Sequence, residues 1–191
     1  MKALPRMIMT KQLSKFTLIT LLSVFFSTYA LAEASTVIDA KVDVAIKKFE
    51  KEKGATEFLK KAYAVLVFPS VVKGGFGIGG EYGEGAMRVD GNTTAYFKIA
   101  SGSFGFQLGL QTTSYLFAFA SKEVYENFMK SDGWEAGVDG AITVAKWGAG
   151  KDIGSISFEK PIYAFVFGAK GFMYNLTFKG TKFIRFTPDA P

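Results

Sequence analysis

The chain has 191 residues, with 23 Lys and Arg against 17 Asp and Glu, and it contains no cysteine and no histidine. Without cysteine there are no disulfides and no lipidated N-terminal cysteine, so we expect a protein that is not a lipoprotein. The usual zinc sites are excluded, as is catalysis by a histidine base, a cysteine nucleophile or a Ser-His-Asp triad. The composition therefore favours a binding protein over an enzyme, and we expect no metal and no other cofactor.

Residues 1–32 have the three-part pattern of a secretory signal peptide. Four cations and no acid precede an apolar run over residues 16–29, and Ala30-Leu31-Ala32 is a small-x-small cleavage sequence. A membrane-spanning helix needs about 20 consecutive apolar residues, and this run is shorter. The pattern predicts cleavage after Ala32 and an exported protein. We expect it in the periplasm, either free or peripheral on an envelope membrane.

Cleavage would also change the charge of the protein. Removing four of the 23 cations leaves 19 against 17 acids, a net charge of +2. A charge this small gives no electrostatic footprint for nucleic acid, so we expect no nucleic-acid partner.

The residues after 32 are helical first and rich in strands afterwards. Apolar residues recur at helical spacing over residues 33–54, Gly54 breaks this pattern, and a second short helix follows. A third helix is predicted over residues 121–129, after the capping residue Ser121. Period-two or continuous apolar patterns predict strands at 64–68 (ended by Pro69), 74–89, 93–100, 101–111, 115–119, 137–147, 155–158, 162–167, 172–178 and 182–186.

Consecutive strands with short turns favour an antiparallel sheet. The predicted fold is a single α+β domain, in which N-terminal helices pack on a strongly curved, barrel- or sandwich-like antiparallel β-sheet. Its expected parts are a helical segment at 33–54, the main domain at 55–186 and a tail at 187–191.

A glycine-rich segment, residues 72–85, holds the densest motif. Gly75, Gly77 and Gly80 satisfy G-x-G-x-x-G, but no helix-forming sequence follows, which argues against a dinucleotide site. Glycine in a strand permits close approach of another backbone or of a ligand. The segment is either purely structural or a lipid-contacting surface formed by Lys73, Gly75, Phe76 and Gly77, with Lys73 meeting an anionic head group.

Five blocks of sequence resemble the bacterial branch of the SYLF domain, also called the Ysc84 family. They are residues 62–69, 73–85, 103–109, 131–139 with Phe128 before it, and 170–176, so the likeness covers most of 55–186. The motif residues to which we assign a structural role are Pro69, Gly79, Gly80, Glu81, Gly83, Gly85, Gly105, Gln107, Gly109, Asp132, Gly133, Trp134 and Asp139. Of these, Trp134 is expected in the core, and Asp139 in a turn where it accepts backbone hydrogen bonds.

The resemblance implies binding of anionic phospholipids and phosphoinositides, and it supplies no catalytic residues. Eukaryotic relatives use a basic, amphipathic N-terminal stretch at membranes and also bind actin. An exported protein is not expected to meet actin. The expected partner is therefore a phospholipid or a membrane surface, and the sequence does not identify a protein partner.

Lysines of the N-terminal helices are the candidate lipid contacts. They are Lys47, Lys48, Lys51, Lys60 and Lys61. The apolar stripe of the first helix has two possible uses, because packing on the sheet and burial in lipid yield the same gain per side chain. The sequence leaves both open.

Three other functions compete with lipid binding. One is a small outer-membrane β-barrel, which the alternation and the glycine and aromatic content permit. A second is a structural envelope protein without lipid specificity. The third is a hydrolase that uses Glu81 and Glu84, although a spacing of three in a strand places the two carboxylates on opposite faces.

Overall fold

A computed structural model describes residues 33–76, 78–104, 109–145, 152–168 and 177–189. Within them the chain forms three helices, α1 (Ser35–Phe49), α2 (Ala55–Lys61) and α3 (Lys122–Met129). The strands are β1 (Ala64–Phe76), β2 (Ile78–Val89), β3 (Asn92–Phe104), β4 (Gly109–Phe119), β5 (Gly133–Glu135), β6 (Ile142–Val144), β7 (Ile162–Phe167) and β8 (Lys182–Phe186). The chain from Glu33 to Pro191 forms one compact unit.

The eight described strands form one curled sheet in the order β5-β8-β3-β2-β1-β4-β7-β6. A flat sheet of this size would set its two edge strands about 34 Å apart, at about 4.8 Å per strand. The edge strands β5 and β6 are consecutive in the chain, and the stretch from Glu135 to Ile142 reaches about 25 Å at most. The sheet therefore curls into a half-barrel, which confirms the α+β class and the strong curvature predicted from the sequence.

One strand pairing differs from the antiparallel prediction. β6 pairs with β7 in parallel, from Ile142–Ile162 to Val144–Ala164, so the sheet is mixed. A parallel pair needs a long connection, and residues 145–161 separate β6 from β7 in the sequence. The alternation that predicted a strand over 137–147 therefore yields only the three residues of β6 among those described.

Other predicted strand limits were also wrong. β1 continues through Pro69, because a register shift between Phe68 and Val71 places this proline at a bulge where no ladder N–H is needed. The single strand predicted over residues 101–111 is divided between two strands: residues 101–104 end β3, and residues 109–111 begin β4. In the sheet, β2 and β1 lie between β3 and β4. Residues 156–158 form no strand, and a 3₁₀ turn covers Ile153–Ser155.

The two faces of the sheet carry separate cores. On one face, here called the α1 face, α1 and α2 bury Ile38, Val42, Phe49 and Phe58 against alternate residues of β1, β4 and β7. The apolar stripe of α1 thus packs on the sheet, which answers the question that the sequence left open. On the other face, the α3 face, an aromatic cluster is formed by Phe68, Phe97, Tyr115, Phe117, Phe119, Phe128, Trp134, Phe178 and Phe183.

Candidate functional site

Helix α1 is attached to the sheet by a polar cluster around Arg88 of β2. One guanidinium nitrogen, Nη2, donates to Asp43 Oδ1 at 2.8 Å and lies 3.3 Å from Asp39 Oδ1. Asp39 also accepts from Thr93 Oγ1 at 2.8 Å and from Tyr96 Oη at 3.0 Å. Because charge-assisted bonds to an aspartate are stronger than neutral ones, this cluster fixes the position of α1 on the strands.

Asp39→Ala is expected to lower the free energy of unfolding by about 2 kcal/mol more than Asp43→Ala does. Both changes bring the same gain in helix propensity, so the difference isolates the contacts that only Asp39 makes. Urea unfolding of the two variants measures this difference. Equal stability of the two variants would show that the hydrogen bonds from Thr93 and Tyr96 to Asp39 add nothing to the stability.

The same change is expected to act on the hydroxyl of Tyr96. Burial raises the pKa of Tyr96 above its ordinary value of 10, and the hydrogen bond and charge of Asp39 raise it further. Removing the carboxylate should therefore move the pKa of Tyr96 downward in an ultraviolet pH titration.

A groove of about 640 Å³ lies beside this cluster, between the two N-terminal helices and the sheet. Its apolar lining consists of Ile46, Leu59, Ala62, Tyr63, Ala64 and Val65. Its charged lining consists of Lys47, Lys60 and Arg88 with Asp43, Glu50 and Asp90. Arg88 is already paired with two aspartates, which leaves the exposed Lys47 and Lys60 as the cations available to a bound molecule.

The lysines predicted as one set occupy different places. Lys47 and Lys60 come from different helices and line the same groove. Lys48 extends over Gly168 at the end of β7. The ammonium group of Lys61 donates to the carbonyl of Gly154, 2.9 Å away, and Lys51 is exposed beyond the end of α1. The structure brings together two of the five lysines.

Lys73 lies on the opposite face of the sheet, in a buried polar cluster. Its ammonium group is 3.6 Å from Glu81 Oε2, and the two side chains are only 19% and 4% exposed. Tyr115 Oη donates to the same carboxylate oxygen at 3.0 Å. Burial, and then the charge of Glu81, raise the pKa of Tyr115 above its ordinary value, so this hydroxyl remains a donor. Because Glu81 neutralises Lys73, this lysine is not a free cation for a head group.

The glycine-rich segment forms the end of β1 and the start of β2, which pair with each other and with β4 and β3. Gly75 pairs with Gly79 of β2 and with Gly109 of β4, and Gly80 pairs with Gly102 of β3. Phe76 ends β1, and the predicted residues Gly77, Gly105 and Gln107 lie outside the described residues.

Two glycines of the motif permit a close approach of backbones at the bulge. A Cβ added at Gly85 would lie 2.1 Å from the carbonyl oxygen of Val67, and one at Gly83 would lie 2.8 Å from that of Ser70. Residues Pro69 and Glu81 frame the same region of β1 and β2. The spacing of these glycines therefore serves the pairing of the two strands.

The block at 131–139 forms the sheet edge at β5. Trp134 is buried against Phe128 and Phe183, with ring centroids 5.1 and 5.6 Å away. The backbone N–H of Glu135 donates to Asp139 Oδ2 at 2.6 Å, in the turn after β5. Asp132 lies 3.9 Å from Arg185 of β8, and Gly133 begins β5.

Glu81 and Glu84 do not form a catalytic pair. Glu81 contacts Tyr115 on the α3 face, whereas Glu84 contacts Lys98 and the backbone of Glu33 on the other face. Among the described residues there is no group of three or more acidic, histidine or cysteine side chains that could hold a metal. The described helices include none that is long and apolar enough to cross a membrane.

Comparison with known protein families gives a match for part of the chain. Residues 100–187 match the family model Ysc84, described as "Las17-binding protein actin regulator". These residues are similar to the Ysc84 family. The resemblance predicted from the sequence is thereby confirmed, and the description of Ysc84 is one of binding and regulation. No curated protein matches the chain.

The Ysc84 match and the groove occupy different parts of the chain. The matched residues supply the last part of β3 and then β4 to β8, whereas every residue that lines the groove precedes residue 100. Sequence reasoning found Lys47 and Lys60 but missed Arg88, Asp39 and Tyr96. A single arginine in an otherwise apolar strand, Met87-Arg88-Val89, is the one signal that indicated a buried charge needing a partner.

Proposed function

We propose that the chain is a non-enzymatic lipid-binding protein of the bacterial cell envelope, exported through the signal sequence at 1–32. Its ligand is an anionic phospholipid of the phosphatidylglycerol or phosphoinositide type. The observation that carries the proposal is the groove, where Lys47 and Lys60 from two helices flank a common apolar floor.

The groove suits a molecule with an anionic head and an apolar body. A phosphate placed between the ammonium groups of Lys47 and Lys60 would gain about 1 kcal/mol from each, as for lysines near an anionic membrane surface. The first acyl carbons would lie on Ile46, Leu59 and Val65, which are only partly buried without a ligand. Burial of such groups contributes about 25 cal/mol per Å² of apolar area.

Two other surfaces fit this ligand less well. The apolar stripe of α1, formed by Ile38, Val42, Ala45 and Phe49, is already buried on the sheet and is not available to a bilayer. Lys73 is neutralised by Glu81. The groove is therefore the place where a free cation and partly exposed apolar atoms coincide in the described structure.

Lys47→Gln/Lys60→Gln is expected to weaken binding to anionic vesicles about thirtyfold, since loss of two contacts of about 1 kcal/mol each corresponds to that factor. The measurement is sedimentation of the chain from Glu33 onward with phosphatidylglycerol, phosphoinositide-containing and phosphatidylcholine vesicles. The matched control is Lys130→Gln/Lys160→Gln, which removes the same charge from exposed positions outside the groove.

Three outcomes decide the proposal. Binding of the unmodified protein to anionic but not to neutral vesicles, lost only in the groove variant, supports it. An equal loss in both variants would reduce the effect to net charge and contradict the groove as the site. Binding of soluble glycerol phosphate without any binding of anionic vesicles would show that a free phosphate, and not a lipid, is the ligand.

A further inference from the structure

The backbone nitrogen of Glu33 contacts a nearly buried carboxylate. It donates to Glu84 Oε2 at 3.2 Å, and the side chain of Glu84 is only 12% exposed. Glu33 directly follows the predicted cleavage site at Ala32. The atom that a signal peptidase would release as a free amine is therefore the atom that this carboxylate holds.

The other oxygen of Glu84 is held by side chains of the sheet. Tyr82 Oη donates to Oε1 at 2.6 Å, and Lys98 Nζ lies 3.6 Å from the same atom. Burial, and then the hydrogen bond and charge of Glu84, raise the pKa of Tyr82 above its ordinary value, so Tyr82 remains a donor across the neutral range. Oε2 is thus oriented toward Glu33.

The first residues after Ala32 are held on both sides of this contact. The side chain of Glu33 forms an ion pair with Lys41, which lies in the middle of α1. The backbone N–H of Ser35 donates to the carbonyl of Asp189 at 3.4 Å, in a parallel bridge between Ala34 and Asp189. The nitrogen of Glu33 is therefore kept near Glu84 by contacts that do not depend on its charge.

We propose that Glu84 is the binding site for the α-ammonium group of the processed chain, so that cleavage after Ala32 converts a neutral hydrogen bond into an ion pair. In the uncleaved chain this nitrogen is an amide with one hydrogen and no charge. Hydrolysis of the Ala32–Glu33 bond by water leaves the carboxyl group on Ala32 and an amine on Glu33, which takes up a proton. The proposal rests on the proposed export, because it needs that cleavage.

The sign of the pH dependence follows from the charge. Glu84 should raise the pKa of the α-amine above its ordinary value of about 7.7–8.0. The stabilisation is then complete below that value and is lost as the pH rises through the raised pKa. The other groups that face the site are Lys98, Tyr82, Lys41 and the side chain of Glu33.

The test compares chains that begin at Glu33 with chains that carry Gly-Ser ahead of Glu33, each with Glu84 or with Glu84→Gln. At pH 6.5 the extension should lower the Tm by about 3–6 °C when Glu84 is present, and by less than about 1 °C in the Glu84→Gln background. At pH 10 the difference should disappear in both backgrounds. Equal effects of the extension with and without Glu84 would overturn the proposal.

A second measurement separates this proposal from the proposed function. Mass spectrometry of the protein recovered after export should give a chain that begins at Glu33. Any other N-terminus would overturn the assignment of Glu84 to a processed ammonium group, while the vesicle experiment above would still decide lipid binding. Conversely, a Glu33 N-terminus coupled to Glu84 in a protein that ignores vesicles would support this site and refute the lipid ligand.

Discussion

Phe183→Ala is expected to lower the free energy of unfolding by about 3–5 kcal/mol, the range found for large-to-small changes at fully buried aromatic positions. Phe183 is 1% exposed and lies at the centre of the aromatic cluster on the α3 face. Its ring centroid is 5.1 Å from that of Phe117, 5.6 Å from Trp134 and 5.7 Å from Phe128. Removal of this ring leaves a cavity, because the close-packed strands, helix α3 and the β5 edge around it cannot move enough to fill the space.

Two variants provide the controls for this measurement. Phe183→Leu keeps most of the volume and should cost less than about 2 kcal/mol. Ile184→Ala changes the next residue of β8, which points to the opposite face and is 41% exposed, and should cost under about 1 kcal/mol. Urea unfolding with unchanged m-values gives all three numbers. A cost for Phe183→Ala no larger than that for Ile184→Ala would contradict the central place of this ring in the core.

The parts of the fold that could be predicted are those with local causes. The spacing of Ile38, Val42, Ala45 and Phe49 specifies one helical face, and these same residues are buried in α1. The capping residue Ser121 accepts from the N–H of Val124 at the start of α3. Strand β7 coincides with the apolar run at 162–167, because a strand buried on both faces needs no alternation.

The strand limits and pairings that were predicted wrongly depend on partners distant in the sequence. Whether Pro69 ends a strand depends on the bulge that it shares with β2 and β4, and no local pattern specifies that bulge. The parallel pairing of β6 with β7 joins strands that are separated by residues 145–161 in the sequence, and no local pattern specifies it. A regular alternation over 101–111 is compatible with one strand or with the ends of two, since both expose polar residues on one face.

The candidate site shows the same division between local and distant causes. Composition and helix position selected five lysines, but the choice of Lys47 and Lys60 required the packing of α1 against α2 and β1. The contact of Arg88 with Asp39 joins residues 49 positions apart, and that of Glu33 with Glu84 joins residues 51 apart. Only the opposite orientation of Glu81 and Glu84 followed from the strand period itself.

Glu81→Ala is expected to lower the free energy of unfolding by about 3–5 kcal/mol, because it leaves a cation and a hydroxyl in a buried site without their acceptor. Lys73 is 19% exposed and would lose the carboxylate that lies 3.6 Å from its ammonium group. Tyr115 would lose the acceptor of its hydrogen bond. Chemical denaturation of the protein from Glu33 onward measures this cost.

The double variant Lys73→Met/Glu81→Leu distinguishes a structural pair from a ligand site. Replacing both charges with apolar groups of similar size removes the unpaired cation, so the double variant should be more stable than Glu81→Ala alone. Its binding to anionic vesicles should equal that of the unmodified protein, since the groove at Lys47 and Lys60 lies on the other face of the sheet. A double variant that folds stably but no longer sediments with these vesicles would move the lipid site to Lys73, because stability would then have been restored without the function.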